Sequence, residues 1–188
     1  MNDNDRQVPS RQLLHTRRVT CTGYQRSDGW FDVEGQLHDS KAHDERLLYK
    51  VLPAGEAVHG MKIRMTVDRD LVIRELVALT EDAPTPFCAS INAAYAALQG
   101  VRVGPGFRKQ VLQRVGDVKG CTHLTELLWP MATTVFQTTE GLFYEENLRR
   151  AAQDPDYQPP AHWVIGSCHV YHADGEPARL LSERPDHP

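Results

Sequence analysis

The stretch RRVTCTGYQRSDGWFDVEGQLHDSK, residues 17–41, constrains this chain most. Two alternating segments flank Ser27-Asp28-Gly29, and Asp-Gly supplies the positive φ angles that a tight hairpin turn demands. The stretch predicts a β-hairpin. With the side-chain period of two, Phe31, Val33, Gly35 and Leu37 share one face, and Trp30, Asp32, Glu34, Gln36 and His38 share the other. The second face is too polar for plain core.

A second strand pair follows. In MKIRMTVD, Met61, Ile63, Met65 and Val67 alternate with polar residues, and LVIRELVALT comes after a turn at Arg69-Asp70. The pattern then changes. PTPFCASINAAYAALQG is alanine-rich, offers Thr85 as an N-cap with Pro86 at the first helical position, and stops at Gly100, which predicts an α-helix. A short helix fits Phe107 to Val115. A longer one starts near Cys121, runs past Phe136 with Pro130 kinking it, and continues through TEGLFYEENLRRAAQ. DPDYQPP is a breaker-rich link, and HWVIGSCHVYHADGEP reads as a final strand. Strands followed by helices imply an α+β fold: an antiparallel sheet of four to five strands with three or more helices on one face. One domain over residues 13–181 is expected, with 1–12 and 182–188 as flexible termini.

The net charge of −4 offers no general attraction for nucleic acid. No run approaches the ~18 apolar residues of a membrane span, and the N-terminus is too polar for a secretion signal. These features point to a cytoplasmic protein without nucleic-acid or membrane partners, and they leave a homo-oligomer open. In a reducing compartment Cys21, Cys88, Cys121 and Cys168 are thiols or ligands before they are disulfides.

Cys88 and Cys121 each fall at the start of a predicted helix, where free backbone amides and the helix dipole favour the thiolate that binds metals. His123 follows Cys121 by two positions, and His59-Gly60 precedes the strand MKIRMTVD. The spacing alone leaves two readings open. These side chains are either metal ligands drawn from separate elements, or small buried thiols beside ordinary histidines. Arg26, Asp32, Glu34 and His38, with Trp30 and Tyr24, are the right groups for a small-molecule pocket in which Glu34 is a general base. Equally, they are the groups of a solvated sheet face with cross-strand ion pairs. Glu126 shares a helix face with His123, where it can orient the imidazole or move a proton. Cys168 and His169 fall on opposite faces of the expected last strand.

VHGMKIRMTVD, PFCASINAAYAALQG and VKGCTHLTELLWPMA occur in an order similar to that of the iron–sulfur scaffolds of the SufE/NifU-like fold. In those proteins three cysteines stand where this chain has His59, Cys88 and Cys121. The resemblance implies a metal pocket. His59 in place of a cysteine, and His123 beside the last one, favour a single Zn or Fe ion over a cluster. The segments GYQRSDGWFDVEGQLHDSK, GCTHL and SCH also resemble an uncharacterised bacterial family of unknown function. That resemblance implies, for substrate, an aromatic or steroid-like small molecule.

The expectation is therefore a metal-dependent enzyme holding one divalent ion, Zn or Fe, on His59, Cys88, Cys121 and His123. Glu34, Glu126 and Arg26 would serve catalysis, and the ion would polarise a substrate oxygen for lyase (retro-aldol) or hydrolytic chemistry. The alternatives are an iron–sulfur scaffold or sulfur-transfer protein, and a metal-stabilised accessory protein without catalysis.

Overall fold

The computed structural model describes residues 9–183. The expected flexible termini fall largely on residues 1–8 and 184–188, which lie outside the described residues. The chain divides into two compact units, one ending at Thr138 and the other beginning at Thr139.

The first unit is α+β. Strands β1 (His15–Gln25) and β2 (Phe31–Lys41) form the predicted hairpin, with Gly29 at φ +85° in its turn. After β2 the chain makes a small two-stranded excursion, β3 (Glu45–Arg46) with β4 (Val51–Leu52). It then returns as β5 (Ala57–Val67) and β6 (Ile73–Asp82), which gives an antiparallel four-stranded sheet in the order β1-β2-β5-β6. The period of two sorts the two faces as expected. Phe31, Val33, Leu37, Met61, Ile63 and Met65 are buried, while Glu34, Gln36 and His38 face solvent.

Between β6 and the helices, the predicted α-helix at Cys88 is instead a 3-10 helix, Cys88–Leu98. The burial pattern explains the difference. Asn92, Tyr95, Leu98 and Val101 recur every third residue toward the interior, and i,i+3 side chains eclipse in a 3-10 helix. Nor does Thr85 cap an α-helix: its hydroxyl accepts the Phe87 N–H at 3.3 Å, closing the turn that precedes the helix. Two α-helices follow, α1 (Phe107–Val115) and α2 (Thr122–Gln153). Pro130 lies inside α2 without ending it.

The first part of α2 covers the buried face of the sheet. Leu124, Leu127, Leu128, Met131 and Val135 form its apolar stripe at helical spacing. Two glycines let the helix come close. A Cβ on Gly35 would stand 2.5 Å from the Met131 sulfur and 3.1 Å from Leu127 Cγ, and a Cβ on Gly23 would overlap the Thr138 side chain. Gly23 pairs with Val33 across the hairpin, two residues before Gly35 on β2, so α2 runs antiparallel to β2. Its first turn therefore overlies the end of β2 that carries Asp39.

The second unit holds the remainder of α2 and a final helix, α3 (Glu176–Glu183). The strand expected over HWVIGSCHVYHADGEP does not form. Turns replace it, closed by Gly166 N–H to the Tyr171 carbonyl at 2.6 Å and by Ser167 N–H to the Val164 carbonyl at 2.9 Å, with Gly166 at φ +79°. A left-handed residue in mid-segment breaks the extended path, so Cys168 lies exposed on a turn.

Candidate metal centre

The register of the sheet builds the site. Arg17 on β1 pairs with Asp39 on β2, and Asp39 pairs with His59 on β5. All three lie in phase with the buried face, because Asp39 continues the series Phe31, Val33, Gly35, Leu37 and His59 continues the series Val67, Met65, Ile63, Met61. The first turn of α2 lowers His123 onto this row, with Glu126 one helical step further on.

Asp39 is the hub. It is 1% exposed, a setting in which an unpaired carboxylate is strongly disfavoured. Arg17 meets it with a two-pronged fork, Nε to Oδ1 and Nη2 to Oδ2, both at 2.8 Å. His59 Nδ1 lies 3.1 Å from Oδ2, and an ionised carboxylate only accepts, so the proton of this contact sits on the imidazole. His15 Nε2 is 3.3 Å from Oδ1, and His123 Nε2 is 3.9 Å from Oδ2. The His59 and His123 rings stack with centroids 3.7 Å apart at 28°. Arg17 turns its third nitrogen, Nη1, to Glu126 Oε2 at 2.7 Å.

The electrostatics follow from burial and from this one cation. Burial works against the Asp39 carboxylate, but the Arg17 fork and its charge overcome it and hold the group below its ordinary 3.8. Burial also lowers His59 below 6.5, with the neighbouring His123 adding to the effect and Asp39 opposing it. His123 is lowered as well, by burial first and then by the Arg17 charge. Near neutral pH the two imidazoles are uncharged and each keeps one nitrogen lone pair.

One ligand atom from each of Asp39, His59 and His123 falls within 4.8 Å of the other two, the one such group of His, Cys, Asp or Glu among the described residues. Zinc bonds of ~2.0–2.2 Å at tetrahedral angles put neighbouring donors ~3.3 Å apart. The contacts of 3.1 Å and 3.9 Å to Oδ2 bracket that spacing. The His59 and His123 rings lie nearly parallel, so their in-plane lone pairs do not converge as they stand, and the rings would have to turn for both residues to hold one ion.

Of the four ligands expected from sequence, His59 and His123 meet here, and the two cysteines stand outside the group. Cys121 is adjacent, its sulfur 3.9 Å from His123 Nδ1, on the side of the ring away from the Nε2 that faces Asp39. The buried Tyr95 hydroxyl fixes that residue by accepting its N–H at 2.9 Å. The Cys88 sulfur lies 3.2 Å from the Thr85 hydroxyl instead. All four cysteines are free thiols.

Of the expected catalytic groups, Glu126 borders the cluster through Arg17. Glu34 does not, because it lies on the opposite face of the sheet, between Thr22 and Arg64 in the register. Arg26 lies at the hairpin turn, at the other end of the strands, where it pairs with Asp28 at 2.7 Å and Asp32 at 3.5 Å. Asp32 also accepts the Thr66 hydroxyl at 2.6 Å. This polar face thus carries a cross-strand contact between Thr66 and Asp32.

Asp39, Arg17 and His15 are the site residues that sequence reasoning passed over. A signal existed: Asp39 is a carboxylate in phase with four core positions, and such a residue needs partners in phase on the neighbouring strands. No helix among the described residues is long and apolar enough to cross a membrane.

No curated protein and no solved structure matches the chain. One family model does, over residues 15–137, a span that begins at His15 and takes in every residue of the cluster. The chain belongs to the family DUF2889, described as a protein of unknown function.

Proposed function

We propose that Asp39, His59 and His123 hold one divalent ion, zinc or iron, and that the chain is a metal-dependent enzyme acting on a small molecule. The observation that carries this is the spacing of the nitrogens about Asp39 Oδ2: His59 Nδ1 at 3.1 Å, where an ion would take the place of the proton that bridges the pair, and His123 Nε2 at 3.9 Å. Two imidazoles and one carboxylate are a donor set used by both metals, and it leaves positions open for substrate. A divalent ion in this position supplies a Lewis acid for a substrate oxygen, in lyase chemistry of the retro-aldol type or in hydrolysis.

The protein's own groups do the rest. Arg17 grips both carboxylate oxygens and His15 approaches Oδ1, which keeps Asp39 ionised and fixes the direction in which Oδ2 points. Glu126 is the proton carrier in this reading, since it is exposed and within reach of the same pocket edge. A cytoplasmic setting fits the reduced thiols, and an aromatic substrate remains part of the proposal.

A cluster-scaffold or sulfur-transfer role, the reading that goes with the SufE/NifU-like resemblance, draws on Cys121 beside His123. It is the weaker of the two, because a scaffold needs thiolates gathered at one point and Cys88 is turned to Thr85. A purely structural metal would require a fourth protein ligand.

Elemental analysis of the full chain, purified without added metal, tests the reading. The expected result is one zinc or iron per chain, lost in His59→Gln and His123→Gln and kept in Cys88→Ser. A protein that holds no metal, or one that loses it through Cys88→Ser and not through the histidine variants, overturns the assignment.

A further inference from the structure

Arg17 does more than hold Asp39. Its Nε and Nη2 form one edge of the guanidinium, and Asp39 takes that edge bidentately. The other edge lies between Nη1 and Nη2, and Glu126 meets Nη1 through one oxygen at 2.7 Å. Arg17 is 37% exposed and Glu126 48% exposed.

A single-pronged contact on a guanidinium edge that matches a whole carboxylate is a poor use of that edge. The same contact is also exposed, and exposed ion pairs contribute little stability. Glu126 is thus a carboxylate resting lightly on a carboxylate-binding edge, beside the Asp39 cluster. We infer that this edge of Arg17 receives a carboxylate of the substrate, and that Glu126 is its internal stand-in, displaced when substrate enters. The inference rests on reading the Asp39 cluster as the working site, and it narrows the substrate class to small organic acids. It also gives the exchange a use. The incoming acid takes both N–H groups of the edge, and the Glu126 carboxylate, released beside His123, becomes free to accept a proton only when substrate is present.

The probes are acetate and benzoate, with acetamide and benzamide as uncharged counterparts of the same shape. They are titrated by calorimetry into the full chain at low ionic strength, with metal content measured on the same samples. In Glu126→Gln the competing charge is gone and the side chain keeps its size. Both carboxylates then bind about twofold to fivefold more tightly, the factor expected for an exposed pair that no longer has to be broken. Arg17→Lys, which keeps the charge and loses the fork, weakens them, and the amides bind poorly throughout.

Unchanged or weaker carboxylate affinity in Glu126→Gln overturns the inference. So does carboxylate binding that persists in a folded Arg17→Lys protein, since the acid is then held elsewhere. The two readings fail separately. A metal-free protein in which Glu126→Gln still tightens carboxylate binding removes the metal and keeps the Arg17 edge. A metal-loaded protein without that effect does the reverse.

Discussion

Replacing Asp39 with asparagine is the sharpest perturbation of this fold, because it removes one charge and almost no volume. The carboxylate accepts Arg17 twice at 2.8 Å, His59 at 3.1 Å and a contact from His15 at 3.3 Å, so without a metal its lone pairs are fully used, and an ion would take the place of the His59 N–H. Asparagine keeps one acceptor and turns an NH2 group toward donors. Removing one partner of a fully buried pair costs about 3–5 kcal/mol. Arg17 is 37% exposed, so water recovers part of its loss, and about 2–3 kcal/mol is the expected cost. With a urea dependence of ~1–3 kcal/mol per molar, the unfolding midpoint falls by about 0.7–3 M. The assay is urea denaturation of the chelator-treated protein, followed by tryptophan fluorescence. Adding Arg17→Met to Asp39→Asn recovers part of the loss, since no stranded cation is left. A cost below about 0.5 kcal/mol for Asp39→Asn, the level of an ordinary surface substitution, would refute the reasoning: burial and pairing of the carboxylate would then cancel.

Gly35→Ala drives a methyl into the Met131 sulfur at 2.5 Å and should cost about 1–3 kcal/mol, read in the same urea assay; a neutral result would mean that α2 rides more loosely on the sheet than its packing implies. The metal-free protein should also lose stability as the pH falls through 6.5. His59 and His123 are lowered in the fold, so below that value the unfolded chain binds more protons, while above it their contribution is complete; Asp39, lowered from 3.8, adds a further loss at stronger acidity. Urea midpoints that stay level between about pH 5 and 7.5 would contradict the burial of the two imidazoles.

The sheet was legible in the sequence because alternation is a local signal: Phe31, Val33 and Leu37 announce a buried face wherever their partners lie. The 3-10 helix was not, because the choice between it and an α-helix turns on packing every third residue against β6 and the later helices. The last strand failed for a related reason. Its pattern suits an extended chain, but Gly166 and the turn bonds around it offer a local alternative that alternation does not register. At the site, the histidines were visible as residue types. The cysteines drew attention because helix starts favour thiolates, yet facing a common point depends on register and on helix placement. Asp39 was hidden among the polar residues of the hairpin until its phase was counted.

That phase makes Gly35 a spacer for the Asp39–His59–His123 cluster as well as a packing position. It lies on the same strand as Asp39, about 13 Å away at the usual strand rise, and beneath the helix that carries His123. The gap between strand and helix at Gly35 bears on how far the helical imidazole of His123 stands from Asp39 and His59 on the sheet. A side chain there would move His123 away from Asp39 and His59 without touching any of the three. Helix–sheet packing and the spacing of the Asp39–His59–His123 cluster thus share one dimension of this fold.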